Sequence, residues 1–306
     1  MIYPTHCEYS IDEINHIVNT DPRRLVAEAE SDYHGQLQEV ALRFHGHRVL
    51  CLAGPSGSGK TTTANKLAAL LTEDGTPTVV LSMDDFYKNQ EDMVPIDGKL
   101  NFEVIESLEV GILQKKIHEL LRKGCSLLPR YDFSTGTRTD DCVEVQLPKS
   151  GAIIIEGIHG LHEELAACFE KDLLYRVYIS PHSGFQNEDG IGIDKRQVRL
   201  VRRMIRDNHH RNASPIETLM LWEEVCRAED LYVRPMARFA DYRINSVHLY
   251  EPCLFRDEMI ALLEQVPKNS KYHQMCENLK FSLGKFAALS PEFLPKDSLL
   301  REFTKN

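Results

Sequence analysis

The sequence predicts an α/β protein in which helices cover both faces of a mainly parallel sheet, giving three layers. Two observations carry this prediction. Short runs with the length of buried strands recur along the chain, at 49–53, 78–82, 151–155 and 174–179, and residues 242–245 are a candidate for a last strand. Segments with helical periodicity separate these runs. Strands that alternate with helices are typical of a parallel sheet covered on both faces.

Length and composition indicate a globular chain. The 306 residues fit either about two domains or one larger α/β domain with additions at its ends. Apolar residues make up 42% and charged residues 27%, which excludes a mainly disordered, collagen-like or coiled-coil chain. The formal net charge of −10 argues against a nucleic acid partner, although a local basic patch can still bind phosphate.

Cysteine spacing and hydropathy bear on location. No two of the eight cysteines form a Cys-x-x-Cys pair, so a structural zinc site is not expected. The N-terminus lacks the basic and apolar regions of a signal peptide, and no apolar run approaches 18 residues. We therefore expect a cytoplasmic protein with free thiols and no membrane partner.

Changes in hydrophobic pattern and in polar and proline content divide the chain into three predicted parts. Residues 1–47 read as a helical N-terminal segment, residues 48–266 as the main domain, and the polar, proline-broken residues 267–306 as a C-terminal extension. In the first part, one helix follows Ser10, a second follows Asp21-Pro22 and a third runs from Ser31 to about Phe44.

Helices and one loop are also predicted within the main domain. The helices are expected at 60–71, 105–121, 195–208, 216–232 and 257–265. Residues 181–192 form a polar stretch with three glycines, which predicts a mobile loop before the basic helix at 195–208. That helix would then be a lid.

One motif is specific enough to suggest a ligand. Gly54-Pro55-Ser56-Gly57-Ser58-Gly59-Lys60-Thr61 matches GxxxxGK[ST], with a buried strand before it and a helix after it. This context predicts a P-loop NTPase-type fold. Backbone N–H groups would cradle phosphate, Lys60 would reach the outer phosphates and the Thr61 hydroxyl would ligate Mg²⁺. We expect ATP to contact Gly54, Ser56, Gly57, Ser58, Gly59, Lys60, Thr61 and Thr62.

Two strands end in acids. Ligands of open α/β sheets lie beyond the carboxyl ends of the strands, where Asp84 and Glu156 are expected. Asp84 is predicted to accept the proton of an attacking hydroxyl and to face Mg²⁺, and Glu156 to hold Mg²⁺ with Thr61. The alternative for Asp84 is a helix cap or a solvated turn, and the alternative for Glu156 is a capping residue.

The predicted basic helix carries four arginines, spaced i, i+3, i+4 and i+7. A lid that closes over phosphates is favoured, with Arg199 and Arg203 contacting ATP and Arg202 and Arg206 stabilising the transferring phosphoryl group. A solvated basic face or an RNA patch is the alternative.

Together these motifs resemble the phosphoribulokinase/uridine kinase family of P-loop kinases, over roughly residues 48–265. The resemblance is carried by GPSGSGKTT at 54–62, SMDDFYK at 82–88, LNFE at 100–103, LPRYDFSTGTR at 128–138, IIIEGIHGL at 153–161 and RLVRRMIRD at 199–207. The chain is most similar to a bacterial uridine-kinase-like branch, which also has a tryptophan helix after the lid, here at Trp222.

The resemblance implies roles for an acceptor pocket. It makes Asp84 the general base and places Tyr87 in the wall of the pocket. It puts Glu103 of the Asn101-Phe102-Glu103 motif on ribose hydroxyls, and it lines the base pocket with the motif that begins at Tyr131. Uridine kinases carry a histidine three residues after the Tyr-Asp-Phe motif. Gly136 stands there in this sequence, and it is expected to leave open space.

These observations favour an ATP- and Mg²⁺-dependent kinase that phosphorylates a hydroxyl of a small molecule, with uridine or cytidine as the leading acceptor. Another sugar-like or ribose-bearing acceptor is an alternative, as is a non-catalytic nucleotide-binding regulator. An RNA-binding role is a third class, disfavoured by the negative charge. A homo-oligomer is compatible with the sequence.

Overall fold

A computed structural model describes residues 8–94 and 100–305 of the chain. Ten strands occur in these residues: β1 (Tyr9–Ser10), β2 (Val49–Ala53), β3 (Thr78–Ser82), β4 (Cys125–Asp132), β5 (Thr137–Gln146), β6 (Ala152–Glu156), β7 (Leu174–Ser180), β8 (Phe185–Gln186), β9 (Gly192–Ile193) and β10 (Tyr242–Asn245).

Five of the strands form a parallel sheet in the order β10-β7-β2-β6-β3. These strands correspond to the five strands predicted from the sequence. In β2 and β6 every residue is buried, because helices cover both faces. The register pairs Leu52 and Ser82 with Glu156, so the carboxyl ends of β2, β3 and β6 lie side by side. The predicted α/β fold with a mainly parallel sheet is confirmed.

Nine α-helices pack around the sheets within the described residues: α1 (Ile11–Thr20), α2 (Pro22–Phe44), α3 (Lys60–Glu73), α4 (Val110–Lys123), α5 (Glu163–Ala166), α6 (Lys195–Arg211), α7 (Pro215–Ala228), α8 (Glu251–Leu263) and α9 (His273–Leu283). Several predicted boundaries differ. The second and third N-terminal helices are one continuous helix, α2, and Ile105–Ser107 forms a separate 3₁₀ turn before α4. The helix predicted at 257–265 is α8, which already begins at Glu251.

The antiparallel hairpin of β4 and β5 was not predicted from the sequence. Pro129 interrupts the apolar part of β4, where the register shifts between Leu128 and Arg130. The residues of β5 are mostly exposed and polar, so they lack the apolar alternation that signals a strand. The hairpin carries Tyr131 towards the carboxyl end of the sheet.

The glycine-containing loop before α6 is more ordered than expected. It contains β8 and β9, and the N-terminal strand β1 pairs in parallel with β8 to complete a small three-stranded sheet. A Cβ on Gly192 would lie 1.7 Å from the Phe185 carbonyl oxygen, so this close pairing requires glycine. The loop therefore anchors α6 to the N-terminal segment.

Apolar side chains of both end segments join one buried cluster with β2, β7 and α6. Leu25 of α2, Leu279 of α9 and Phe303 near the C-terminus belong to it. The division at residues 47 and 266 stays a prediction. Residues 1–7 of the N-terminal segment and Asn306 lie outside the described residues. No described helix is both long enough and apolar enough to cross a membrane.

Candidate active site

The phosphate loop joins β2 to α3 and is shaped by glycines. Gly57 and Gly59 have φ of +77° and +87°, which side chains rarely tolerate. A Cβ on Gly54 would lie 2.1 Å from the Ile179 carbonyl oxygen of the neighbouring strand. Because these positions exclude side chains, backbone N–H groups line the loop and the N-terminus of α3, where an anion is favoured.

Three strand ends converge beside this loop. The Glu156 carboxylate accepts hydrogen bonds from the Ser82 hydroxyl at 2.9 Å and from the Thr61 hydroxyl at 3.2 Å. Glu156 is 4% exposed, and burial raises the pKa of its carboxyl group while the Lys60 ammonium opposes this. The Lys60 ammonium also donates to the Pro55 carbonyl at 3.3 Å. A hydroxyl, a carboxylate and a lysine therefore meet at the phosphate loop.

Asp84 and Asp85 lie in different surroundings. Asp84 opens to solvent within a cleft that protein encloses on most sides, and this enclosure raises the pKa of its carboxyl group. Lys60 opposes the rise. Asp85 instead accepts from the Tyr131 backbone at 3.4 Å and from Arg130 at 3.5 Å, so it faces the β4–β5 hairpin.

Two arginines of α6 contact the tip of the phosphate loop. Arg199 donates to the Ser56 carbonyl at 3.0 Å, and Arg203 donates to the Ser56 hydroxyl at 2.9 Å. Arg199 also pairs with Glu229. Both arginines are buried, and a Cβ on Gly57 would lie 3.1 Å from the Arg199 carbonyl oxygen. Helix α6 is thus packed directly against the loop.

The other two predicted arginines differ from each other. Arg202 is fully buried and points away from the cleft, donating to Glu251 at 2.7 and 2.8 Å and to Ser246. Arg206 is half-buried, its guanidinium is held by Asp207 at 2.8 Å, and its positive charge opposes the rise in the pKa of Asp84. Of this pair, Arg206 is the one near the acidic cleft.

Aromatic rings form a cluster near Asp84. Tyr87, Phe102, Tyr131 and Phe133 are all mutual neighbours, with ring centroids between 4.9 Å and 6.4 Å apart. The Tyr87 hydroxyl donates to the Phe102 carbonyl at 2.9 Å. The buried Tyr131 hydroxyl has no hydrogen-bond partner in the part of the chain that the structure describes. Phe133 is 58% exposed, so the cluster is open on one side.

Glu103 lies between this cluster and the phosphate loop. Its backbone is fixed by the Asn101 side chain at 2.8 Å. Burial raises the pKa of its carboxyl group, and the positive charges of Arg203 and Lys60 oppose this. The positive charge of Lys60 thus opposes the rise in pKa at three acidic side chains, Asp84, Glu103 and Glu156.

The expectation that Gly136 leaves open space is wrong. A Cβ on Gly136 would lie 2.3 Å from the Gln90 amide carbon, so the Gln90 side chain fills this position. Gly136 itself has φ of +68°, and its carbonyl accepts from the Gln90 backbone at 2.9 Å. Sequence reasoning missed Gln90, because the two residues are far apart along the chain and no motif links them.

His159 is a second residue that was missed. It is 1% exposed and neither ring nitrogen has a hydrogen-bond partner among the described residues. Burial, together with His162, lowers the pKa of its ring to about 3, so the ring is neutral. Its only signal in the sequence is its place three residues after Glu156.

A scan against protein-family models matches residues 49–251 to the phosphoribulokinase/uridine kinase family. The chain belongs to this family. The predicted enzyme class, an ATP-dependent phosphotransferase with a hydroxyl acceptor, is confirmed with it.

Curated relatives within the family include two bacterial uridine kinases. The protein from Deinococcus deserti is 29% identical over 67% of this chain and 91% of its own length. The protein from Bacillus pumilus is 29% identical over 63% and 83%. The uridine-cytidine kinase C of Dictyostelium discoideum is 27% identical over 68% of this chain and 41% of its own length.

Solved structures with a similar chain path include a possible uridine kinase from Bacillus stearothermophilus. It is 23% identical, covers 69% of this chain and 98% of its own, and has a TM-score of 0.45. A D-glycerate 3-kinase from Cryptococcus neoformans is 15% identical, covers 66% and 87%, and has a TM-score of 0.47.

Proposed function

We propose that this kinase transfers the γ-phosphoryl group of ATP to a hydroxyl of uridine or cytidine. The observation that carries the acceptor is the four-ring aromatic cluster of Tyr87, Phe102, Tyr131 and Phe133, open on one side and next to Asp84. Aromatic rings favour a planar base through stacking. The bacterial relatives named uridine kinases support the same acceptor.

In this proposal the phosphate loop and Lys60 hold the ATP phosphates, and Asp84 accepts the proton of the attacking hydroxyl. A general base works best when its pKa is near the working pH, and enclosure in the cleft moves the pKa of Asp84 in that direction. Glu103 would accept from hydroxyls of the ribose. Arg203 and Arg206 would face charge that develops on the transferring phosphoryl group.

Arg202 fits a supporting role better than the catalytic role predicted from the sequence. It donates to the Gly57 carbonyl at 3.3 Å and to the Glu251 carboxylate, so it joins the phosphate loop to α8 from behind. A fully buried guanidinium whose donors are used by protein acceptors has no group left for a phosphate.

We further propose that Mg²⁺ is bound by the Thr61 hydroxyl and the Glu156 carboxylate, with Asp84 beside it. The adjacent oxygen atoms of Thr61 and Glu156 fit a hard cation that keeps several waters. Among the described residues no group of three histidine, cysteine or acidic side chains could hold an ion alone, so phosphate oxygens would supply ligands. The ion would neutralise phosphate charge.

Another ribose-bearing acceptor is the second candidate. The Gln90 amide, and not a histidine, fills the space at Gly136, where the resemblance places the contact with a pyrimidine. An amide both donates and accepts hydrogen bonds, so it is compatible with more than one base.

The test is ADP release with uridine, cytidine, adenosine, guanosine, ribose and fructose as acceptors. We expect the highest kcat/KM with a pyrimidine nucleoside, and loss of turnover in EDTA that Mg²⁺ restores. A preference for a purine nucleoside or a free sugar would contradict the proposed acceptor. A protein that binds ATP without turning over any acceptor would be a nucleotide-binding regulator.

A further inference from the structure

The C-terminal tail segment, residues 298–303, lies on the N-terminus of α3. The Glu302 carboxylate accepts from the Thr62 hydroxyl at 2.7 Å and from the Thr62 backbone N–H at 3.4 Å. Thr62 is the third residue of α3, so this N–H has no partner within the helix. Such N–H groups are the phosphate donors of a P-loop. A side-chain anion therefore occupies a position suited to a nucleotide phosphate.

Apolar contacts hold the tail segment in this place. Leu299, Leu300 and Phe303 are fully buried, and a Cβ on Gly59 would lie only 2.6 Å from Leu299 Cδ1. Leu299 thus covers the backbone of the phosphate loop, whose left-handed Gly59 precedes Lys60. The tail contacts both the loop and the helix that follows it.

Glu302 itself is less constrained than its neighbours. It is half-buried, and its hydrogen bonds among the described residues are the two from Thr62. No lysine or arginine of residues 8–94 and 100–305 pairs with it. The positive end of the α3 dipole therefore offsets the negative charge of Glu302, and a bound phosphate group would compete for the same positive end.

The same segment contacts helix α6. The Arg202 guanidinium lies 5.3 Å from the centre of the Phe303 ring. Directly after the segment, the Thr304 carbonyl oxygen is 3.0 Å from His210 Nε2. Movement of the tail would therefore change contacts of the helix that carries Arg203 and Arg206.

We propose that the tail segment is autoinhibitory: Glu302 and a nucleotide phosphate exclude each other at Thr62, so that nucleotide binding releases the tail. This inference rests on the proposed role of the phosphate loop as the nucleotide site. The apparent affinity for nucleotide is reduced by the fraction of protein whose tail is docked.

The first test compares ADP affinity by titration calorimetry of the full chain. Glu302→Gln removes the competing charge, and Glu292→Gln is the matched control, because Glu292 is an exposed acid of the same C-terminal region. We expect Glu302→Gln to lower the Kd for ADP at least about fivefold, and Glu292→Gln to leave it unchanged. An unchanged or higher Kd in Glu302→Gln would overturn the proposal.

The second test separates displacement of the tail from a simple effect of charge. Amide hydrogen exchange is followed in the wild-type protein with and without ADP. If the tail segment is released, the amides of residues 298–303 should exchange faster when ADP is bound. Unchanged or slower exchange in these residues would mean that the tail stays docked, and the proposal would fail.

The proposed function can fail separately. If wild type and Glu302→Gln are folded but neither binds ADP, the phosphate loop is not a nucleotide site and both proposals are wrong. If ADP binds, Lys60→Ala weakens it and Glu302→Gln has no effect, only the autoinhibitory contact is wrong.

Discussion

Arg202 and Glu251 form a fully buried ion pair with two hydrogen bonds, at 2.7 and 2.8 Å, behind the phosphate loop. Removing one member would leave the other charge buried without a partner, which typically costs about 3–5 kcal/mol. We therefore expect Arg202→Met to lower the free energy of unfolding by about this amount, as measured by urea denaturation.

Arg206→Ala is the comparison for this prediction, because Arg206 is half-buried and lies on the side of Asp84. It should leave stability nearly unchanged while kcat falls more than the affinity for ATP. An Arg202→Met protein with wild-type stability and a lowered kcat would return Arg202 to the catalytic role that the sequence predicted.

Lys60→Ala should abolish turnover while the protein stays folded. The Lys60 ammonium acts electrostatically on Asp84, Glu103 and Glu156, and it would supply positive charge to the phosphate oxygens. Losing such a group costs several kcal/mol of transition-state stabilisation. Steady-state ADP release measures the effect, with circular dichroism as the check on folding. Turnover within about tenfold of wild type would contradict the assigned role.

Gln90→Ala should raise the KM for the acceptor and change kcat little. The Gln90 side chain fills the space at Gly136, beside the hairpin that carries Tyr131 and Phe133. A lost hydrogen bond to a base would weaken binding about fivefold to tenfold. Gln114→Ala is a matched control, because the Gln114 side chain donates to the Glu164 carbonyl and does not fill the space at Gly136. An equal effect of both substitutions would exclude Gln90 from the acceptor pocket.

The parts of the site that the sequence predicts are those set by local geometry. The phosphate loop, Asp84 and Glu156 each follow an apolar strand, and parallel strands bring their carboxyl ends together whatever the rest of the chain does. The contacts of Gln90 with Gly136 and of Glu302 with Thr62 join distant residues, and no periodicity encodes them.

Arg202 illustrates a different limit. Helical spacing places four arginines on one face of α6: Arg199, Arg202, Arg203 and Arg206. Because α6 packs closely against Gly57, side chains of this face contact different parts of the protein. Arg199 and Arg203 reach Ser56, whereas Arg202 turns towards Glu251. Periodicity predicts a shared face, and only tertiary packing decides which neighbours each side chain meets.

Asp84→Asn should cut kcat by about 10² or more, in line with the usual contribution of a general base, while ATP still binds. Asp85→Asn should cost less, because Asp85 is used by the hairpin through the Tyr131 backbone and Arg130. Steady-state kinetics of both variants measures the difference. If Asp85→Asn proved the more damaging change, the base would be misassigned.

The pH dependence of the stability of Asp84→Asn tests why the pKa of Asp84 is raised in the wild-type protein. Enclosure in the cleft raises the pKa of the Asp84 carboxyl group in the folded state above its unfolded value, so the folded protein binds this proton more tightly. Protonated Asp84 therefore favours folding at low pH, and this stability is lost as the pH rises through the folded pKa.

Asp84→Asn removes the cost of keeping a charged carboxylate in the cleft, so the variant should melt at a higher temperature than wild type at neutral pH. The gain should shrink as the pH falls below the raised pKa, while wild-type kcat/KM declines over that same range because the base becomes protonated. Thermal melts without nucleotide, taken from pH 4 to pH 8, measure the gain in melting temperature. Steady-state kinetics measures the decline in kcat/KM over the part of that range where the protein stays folded. If Asp84→Asn is instead less stable than wild type at neutral pH, the ionised carboxylate stabilises the folded protein, and the pKa of Asp84 is not raised by its enclosure.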